Sequence, residues 1–220
     1  MPELLEIEMY RRGASRLVGR TITSVETPDN WYLKGVDAAA VAAALTGATV
    51  ESLGRIGKLM LVETTAATVG LRFGMTGIVM IDHEPVIAEL EYSSKRLDPD
   101  WNRFTAHFDD GGRIDMNDPR RLGGVELEPD LTKLGPDAWS VGVHELRSIF
   151  GRYKVATKAL LLNQKRIAGL VMTGTDHATG LAWRLECGVS VGSVSSLWRR
   201  MQRDLRSGPE GRGPTRLLMK

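Results

Sequence analysis

Residues at the start of the chain could carry out nucleophilic chemistry. Pro2 follows Met1, and a small second residue usually permits removal of the initiating methionine, so we expect the mature chain to begin at Pro2. An α-amino group titrates near ~7.7–8.0, so a useful fraction of the proline amine would be uncharged at neutral pH. Such an amine can attack a carbonyl-like carbon and form a Schiff base.

Two carboxylates follow this amine closely in the sequence. The pattern is helical from Glu3 to about residue 18, and a spacing of three places Glu3 and Glu6 on one helix face. One carboxylate could protonate a leaving group while the other handles a second proton. The alternative is a plain amphipathic helix, whose acidic first turn interacts favourably with the helix dipole. Spacing alone favours that alternative, and the chemical interpretation depends on motifs further along the chain.

Three later stretches contain residues of chemical interest. Lys58 follows a glycine and is predicted to begin a strand, where it could equally be an ordinary strand-edge lysine. Met75 lies between two glycines, and a tight glycine turn would push its side chain outward, although most methionines lie in a core. Arg120 and Arg121 are paired in a loop that is stiffened by the preceding proline. Each signal is weak by itself.

Composition limits the classes of protein that the chain can belong to. Its 220 residues are 42% hydrophobic, which is enough for a sizeable core. Cys187 is the single cysteine, so an intramolecular disulfide or a cysteine-rich metal site is excluded and no cofactor is expected. No apolar run is long enough to span a bilayer, and no signal-peptide pattern is present. We therefore expect a cytoplasmic protein without a membrane partner.

Charge is unevenly distributed along the chain. Residues 1–130 contain 14 Lys and Arg against 21 Asp and Glu, whereas residues 131–220 contain 15 against 6. A basic second half next to an acidic first half is typical of a region that binds a polyanion. The alternative is a basic surface or tail that is simply solvated.

The hydrophobic pattern predicts a β-rich first part and a helical second part. A short helix is predicted over 38–45, and strands are predicted over 21–26, 49–53, 59–63, 68–73, 77–81, 88–92, 104–108 and 113–116. About eight short strands at this spacing favour a sandwich or a barrel-like unit. Helices are predicted over 143–150 and 155–163. We assign domains to residues 1–130 and 131–198, and a basic, disordered tail to 199–220.

Motifs of the first domain, in this order, resemble those of the Fpg/Nei family, the bacterial formamidopyrimidine-DNA glycosylases. Residues 2–8 read Pro-Glu-Leu-Leu-Glu-Ile-Glu, where the family has Pro-Glu-Leu-Pro-Glu-Val-Glu. Gly57-Lys58 is similar to a Gly-Lys pair at a strand start, and 73–77 is similar to Leu-Gly-Met-Ser-Gly. Residues 118–123 match Asp-Pro-Arg-Arg-Phe-Gly, with Leu122 in place of Phe.

The resemblance extends to about residue 170. Residues 134–139 resemble the family's Leu-Gly-Pro-Glu-Pro-Leu, and 156–164 resemble Ala-Ile-Lys-Pro-Leu-Leu-Leu-Asp-Gln. It implies an α+β fold with an N-terminal antiparallel β-sandwich, flanking helices, and a truncated C-terminal domain of the helix-two-turn-helix type. It also implies a monomer that binds damaged double-stranded DNA in the bacterial cytoplasm, associated with the nucleoid through that DNA.

The resemblance implies a role for each matched residue in a DNA glycosylase/AP lyase. Family members flip a damaged base, an oxidised or ring-opened purine, out of the duplex. Pro2 would be the nucleophile, Glu3 the acid that assists sugar opening, and Glu6 a residue that tunes the site. Lys58 would contact the phosphate backbone and assist cleavage by elimination.

Other residues would hold the DNA. Met75, Arg120 and Leu122 would fill the space left by the flipped base, with Arg120 facing the orphaned base. Arg152, Lys154 and Lys158 would contact phosphates.

The chain departs from the family pattern after about residue 170. Ile167-Ala168-Gly169-Leu170 is followed by Val-Met-Thr-Gly-Thr-Asp-His, where the family has Gly-Asn-Ile-Tyr-Ala-Asp-Glu. The family's four-cysteine zinc finger is absent, and no metal site is expected. Truncation, a frameshift or divergence would each explain this. A catalytically impaired relative that binds damaged DNA is therefore the second hypothesis, and an ordinary β-sandwich binding module is hard to reconcile with the Pro-Glu start.

Overall fold

The computed structural model describes Pro2 and residues 4–87, 96–153 and 155–170, without the side chains of residues 157 and 158. The chain forms two compact units. The first contains Pro2 and Glu6–Asp130, and the second begins at Leu131 and also includes Leu4 and Leu5. Within the described ranges, no helix is both long and apolar enough to cross a membrane.

The described residues contain four α-helices and nine strands. The helices are α1 (Leu4–Gly13), α2 (Ala38–Leu45), α3 (Val143–Arg152) and α4 (Thr157–Leu162). The strands are β1 (Ile22–Glu26), β2 (Val50–Ile56), β3 (Leu59–Thr64), β4 (Thr68–Arg72), β5 (Ile78–Ile81), β6 (Glu84–Pro85), β7 (Asn102–Phe108), β8 (Arg113–Asn117) and β9 (Gly124–Leu127). All four helices are short, and the strands lie between α1 and α3.

The strands of the first unit form two antiparallel sheets. One has the order β1-β7-β8-β5-β6 and the other β2-β3-β4-β9. Apolar side chains from both sheets and from α1 and α2 belong to one core cluster, in which Ile7, Met60, Val79 and Met116 have no exposed surface. Burial of so many apolar side chains is the main force that holds the unit together.

The second unit has its own small core. Leu146 of α3 and Leu161 of α4 are buried together with Ile167, Leu170 and Leu4. The loop after α4 turns back on itself because Asn163 O accepts from Ile167 N at 3.1 Å, and Asp137 pairs with Ala168 as a parallel bridge.

The structure confirms the mixed composition of helices and antiparallel strands and corrects several boundaries. Helix α2 spans the predicted residues, and Asp37 caps it by accepting from Ala40 N at 2.7 Å. The first helix ends at Gly13 and is followed by a 3-10 turn, whereas the pattern predicted a helix to about residue 18. Two strands were missed: β6, which has only two residues, and β9, which begins at the second glycine of a Gly-Gly pair. The strand predicted over 88–92 lies outside the described residues.

Candidate functional site

Helix α1 carries one candidate acid, and the candidate nucleophile, Pro2, lies two residues before the start of this helix. Pro2 is buried, and Glu6 is half-buried in the first turn of the helix. Glu3 lies outside the described residues. Burial and the nearby Glu6 carboxylate raise the pKa of Tyr10, so the Tyr10 hydroxyl stays neutral and the negative charge of Glu6 lies close to it. Pro2 and Glu6 are therefore four residues apart at the N-terminal end of the first unit.

Tyr10 also connects α1 to the turn that carries Met75. Its ring stacks on Phe73 with centroids 4.7 Å apart and an interplanar angle of 25°. The chain then turns at Gly74, whose φ of +55° suits glycine, and Gly77 N donates to Phe73 O at 2.8 Å. Met75 lies at the tip of this turn and is 42% exposed. The structure thus places Met75 outward, as the two glycines predicted.

Glu8 is a buried carboxylate that binds three guanidinium groups. Arg11 donates to it from Nε at 3.0 Å and from Nη2 at 2.7 Å, and Arg12 donates from Nε at 2.9 Å. Arg55, at the end of β2, donates to it from Nε at 3.3 Å. Arg11 and Arg12 are on α1 itself, whereas Arg55 belongs to β2. The helix is therefore tied to the second sheet by the contact between Glu8 and Arg55 and by Arg11 Nη1, which donates to Leu53 O at 3.4 Å.

The same arginine supports the turn that carries Lys58. Arg55 Nη1 donates to Gly57 O at 2.8 Å, and Ile56 pairs with Leu59 across a two-residue hairpin loop. Gly57 has φ of +57° and Lys58 has no positive φ, as in a type II′ turn. Lys58 is therefore the second residue of the turn and does not itself begin the strand, whereas β3 begins at Leu59, the first residue of the predicted range. Its side chain is half-buried.

We predict that Glu8 makes the fold sensitive to acid. Burial alone would raise the pKa of Glu8, but hydrogen bonds from Arg11, Arg12 and Arg55 outweigh it and lower the pKa from 4.5 to about 2. Since the folded-state pKa is the lower one, this stabilisation is complete above pH 4.5 and is lost as the pH falls towards 2.

Glu8→Gln should therefore lower the free energy of unfolding at neutral pH by on the order of 2 kcal/mol. The difference from the wild type should shrink as urea unfolding is repeated at lower pH. A difference that stays constant between neutral pH and pH 3 would contradict the assigned ionisation.

Asp118 joins the two loops that carry the candidate DNA-contacting residues. It has no exposed surface, and its Oδ1 accepts from Thr76 Oγ1 at 2.6 Å and from Arg120 N at 3.2 Å. Its Oδ2 accepts from Gly123 N at 2.8 Å. Thr76 belongs to the Met75 turn, and the other two donors belong to the loop 118–123. One carboxylate therefore fixes the geometry of both loops.

The two loops also touch directly. A Cβ atom on Gly74 would collide with the backbone of Leu122 and Gly123, so glycine at this position permits the close approach. Leu122 is 51% exposed, and Arg120 is exposed as well. The structure therefore brings Met75, Arg120 and Leu122 together on adjoining loops, with all three side chains facing solvent.

A third segment, residues 29–34, is attached to the same loops. Arg121 donates to Asp29 from Nε at 2.5 Å and from Nη2 at 2.7 Å, and these hydrogen bonds lower the pKa of Asp29 despite its burial. A Cβ atom on Gly123 would collide with the hydroxyl of Tyr32, which is fully buried. Burial and the charge of Asp118 raise the pKa of Tyr32.

Sequence reasoning named the exposed residues but missed the buried ones that fix them. Asp118 was part of a recognised motif, and a carboxylate next to proline in a loop is a common backbone acceptor. Glu8 lay within the opening motif. For Asp29, whose partner Arg121 lies 92 residues away, the sequence holds no comparable signal.

The remaining candidates lie in the second unit. Arg152 is exposed at the C-terminal end of α3, and Lys158 lies in the first turn of α4. Lys154 lies outside the described residues, and so does the side chain of Lys158. The roles of these three residues as phosphate contacts stay predictions.

No metal centre is found in the part of the chain that the structure describes. It contains no group of three or more histidine, cysteine, aspartate or glutamate side chains able to hold an ion. A four-cysteine zinc site does not fit these 220 residues, because Cys187 is their one cysteine and it lies outside the described ranges.

The chain is a mixed α/β protein with two antiparallel sheets and an exposed loop surface. Its sequence opens with Pro-Glu, and a buried aspartate joins its two glycine-containing loops. The family model of the formamidopyrimidine-DNA glycosylase N-terminal domain matches residues 1–125. The chain belongs to this family.

Curated relatives are similar over most of the chain. A formamidopyrimidine-DNA glycosylase of Paracoccus denitrificans is 35% identical over 182 residues, covering 77% of this chain and 63% of that protein. One of Rhizorhabdus wittichii is 32% identical over 204 residues, covering 83% and 68%. The match thus spans less than two thirds of the length of the first of these relatives.

Solved structures share the fold. The complex between Lactococcus lactis Fpg and an abasic site containing DNA superposes with a TM-score of 0.73 at 23% identity, covering 94% of this chain and 78% of that one. The complex between wild-type Lactococcus lactis Fpg and a DNA containing N7-benzyl-Fapy-dG gives the same score, identity and coverage. At this identity the similarity establishes the fold.

Proposed function

We propose that the chain is a DNA glycosylase/AP lyase that excises oxidised or ring-opened purines from duplex DNA. The observation that carries the proposal is the loop surface of Met75, Arg120 and Leu122, whose side chains are exposed and whose two loops are joined by the buried Asp118. Exposed apolar side chains on rigid loops are what a protein needs to occupy the space left by a flipped base. Relatives that carry the glycosylase name, and solved complexes with damaged DNA, support it.

The proposed chemistry uses the terminal amine. With Met1 removed, the nitrogen of Pro2 attacks C1′ of the lesion sugar, the bond from C1′ to the base breaks, and the base leaves with the bonding electrons and a proton. Glu3 assists opening of the sugar ring by protonating its oxygen, which leaves an iminium between Pro2 and C1′. Loss of a C2′ proton then expels the 3′ phosphate, and water releases the enzyme. Glu6 tunes the proton affinity of this site.

Cations would hold the duplex during these steps. Lys58 is presented by a hairpin turn that Arg55 fixes, and it would contact a phosphate and assist the elimination. Arg152, Lys154 and Lys158 would contact further phosphates from a helical domain of the helix-two-turn-helix type. Because such a protein acts on the bacterial chromosome, we place it in the cytoplasm, bound to DNA as a monomer.

The second candidate is an impaired relative that only binds damaged DNA. The observation that favours it is the sequence after Leu170, which departs from the family pattern and supplies no zinc finger. The two candidates share the loop surface and differ in whether the Pro2 amine reacts.

Borohydride trapping on a duplex with one abasic site separates them. A glycosylase/AP lyase forms an iminium that borohydride reduces to a covalent protein–DNA adduct. The impaired relative would bind the same duplex without an adduct. Absence of both binding and adduct would overturn the proposed function altogether.

Met75→Ala and Arg120→Ala should separate base excision from strand cleavage. A damaged base must be extruded and its place filled, whereas a pre-formed abasic site has no base to extrude. We expect the rate of base excision to fall about 10- to 100-fold in each variant, because unstacking a base step costs a few kcal/mol and the side chain would offset part of that cost. The rate of cleavage at a pre-formed abasic site should fall much less. Single-turnover rates on the two substrates measure this, and equal losses would contradict the assigned roles.

Cleavage by this chain should stop mainly after the first elimination. The resemblance assigns the second elimination to the zinc finger, and these residues offer no tetrahedral cysteine site. We expect the purified chain to contain no stoichiometric zinc and to leave an unsaturated sugar at the 3′ end of an abasic strand. Stoichiometric metal, or 3′ ends dominated by phosphate, would contradict this.

A further inference from the structure

Trp31 is the most exposed large hydrophobic side chain among the described residues, at 69%. It lies in a 3-10 turn, Asn30–Tyr32, that Asp29 caps by accepting from Trp31 N at 3.1 Å. A cation lies beside this ring: Lys34 Nζ is 5.3 Å from the ring centroid and donates to Trp31 O at 2.9 Å. An exposed aromatic ring with a fixed cation beside it is the composition of a nucleic-acid stacking surface.

This ring is fixed to the loops that carry the proposed wedge residues. Asp29, which caps the Trp31 turn, is the partner of Arg121, and Arg121 lies between Arg120 and Leu122. On the other side of the turn, Leu33 pairs with Val125, and Lys34 N donates to Val125 O at 2.9 Å. The segment can therefore move only together with the loop 118–123.

The distribution of exposed apolar side chains singles out the same surface. Within the described part of the first unit, four large hydrophobic side chains are exposed: Val18, Trp31, Met75 and Leu122. Three of the four belong to the connected set of segments 29–34, 73–77 and 118–124. A folded protein rarely groups such side chains without a partner for them.

We propose that Trp31 and Lys34 extend the DNA-binding surface, with Trp31 packing on a nucleotide next to the orphaned base and Lys34 adding positive charge at the neighbouring phosphate. This rests on the proposed function, since it takes the loop 118–123 as the part that enters the duplex. The occupant is the strand opposite the lesion, because Arg121 joins Trp31 to the residue assigned to the orphaned base. The ring fits a nucleotide of any sequence, since every base has an apolar face.

Binding of three duplexes to wild type and variants tests the proposal. Each duplex carries a central, uncleavable abasic analogue in one strand. In the first duplex the complementary strand is complete. In the second it ends directly 5′ of the orphaned base, and in the third it ends directly 3′ of that base. We expect Trp31→Ala to bind the complete duplex about tenfold more weakly, as for loss of one aromatic contact with a base. It should match the wild type on the one truncated duplex that lacks the contacted nucleotide. Trp31→Phe should retain most of the affinity, and Lys34→Gln should reduce the dependence of binding on salt.

Each result has a defined meaning. Equal affinities of wild type and Trp31→Ala for the complete duplex would overturn the inference, and so would an equal loss on all three duplexes, which would place the effect in the loop. A change in the sedimentation of free Trp31→Ala with unchanged DNA affinity would show a protein contact instead and would also overturn it. The proposed function is judged separately, by borohydride trapping of the wild-type chain on abasic DNA.

Discussion

A chain that retains one residue ahead of Pro2 is expected to form no borohydride-trapped adduct with abasic DNA. The extra peptide bond converts the α-amine into an amide, which has no basic lone pair for attack on C1′. The loss should be large, since the α-amine of the extra residue lies about 3.8 Å, one Cα–Cα step, away from the place of the Pro2 nitrogen. An ordinary lysine amine, with a pKa near ~10.4, is almost fully protonated at neutral pH. Intact mass identifies which form of the chain is present in each preparation.

The matched control is the same chain after enzymatic removal of the extra residue. It should regain trapping, and both forms should bind the uncleavable duplex with similar affinity, because the loop surface is unchanged. An active preparation whose mass shows that Met1 is retained would contradict the mechanism. Binding that disappears with the extra residue would show that the effect is on the fold.

Asp118→Ala is expected to have the second-largest effect, on both stability and excision. The substitution removes the acceptor of Thr76 Oγ1, Arg120 N and Gly123 N in a place that water does not reach. Buried donors left without an acceptor cost ~1–3 kcal/mol each, so we expect a loss of about 3–5 kcal/mol in the free energy of unfolding. Urea unfolding measures it.

Asp115→Ala is the matched control. Asp115 is equally buried and accepts from Thr105 Oγ1 at 2.7 Å and from Asn102 Nδ2 at 3.2 Å, all within strands β7 and β8. Both variants should lose stability, but excision at a temperature where both are folded should fall only in Asp118→Ala. Equal excision rates would show that Asp118 does no more than stabilise the sheet.

Local patterns predicted most of the strands and the exposed part of the candidate site. Short apolar stretches separated by turn residues identified β3, β4 and β5, and the two glycines indicated the outward turn in which Met75 lies. Strand β9 was missed because its formation depends on pairing with β4, some 55 residues earlier in the chain, and its four residues carry little pattern of their own.

The buried polar partners could not be read from the sequence for a related reason. Glu8 is on a helix where acidic residues are common, and nothing local shows that Arg55 reaches it across 47 residues. Asp29 and Arg121 are separated by 92 residues. Such pairs depend on how distant parts of the chain pack together, and local sequence patterns do not reveal that packing.

The cluster around Glu8 also shapes the electric field of the first unit. One carboxylate faces the guanidinium groups of Arg11, Arg12 and Arg55, so the cluster keeps a net charge of +2, whereas residues 1–130 as a whole carry 14 positive and 21 negative side chains, a balance of −7. A polyanion approaching this unit therefore meets net repulsion at long range and a local excess of positive charge beside the hairpin of Lys58. Long-range repulsion is screened beyond ~8 Å at physiological ionic strength. At low salt, encounters between a polyanion and this unit should thus be fewer but more uniformly oriented, because the acidic remainder of the unit disfavours other directions of approach.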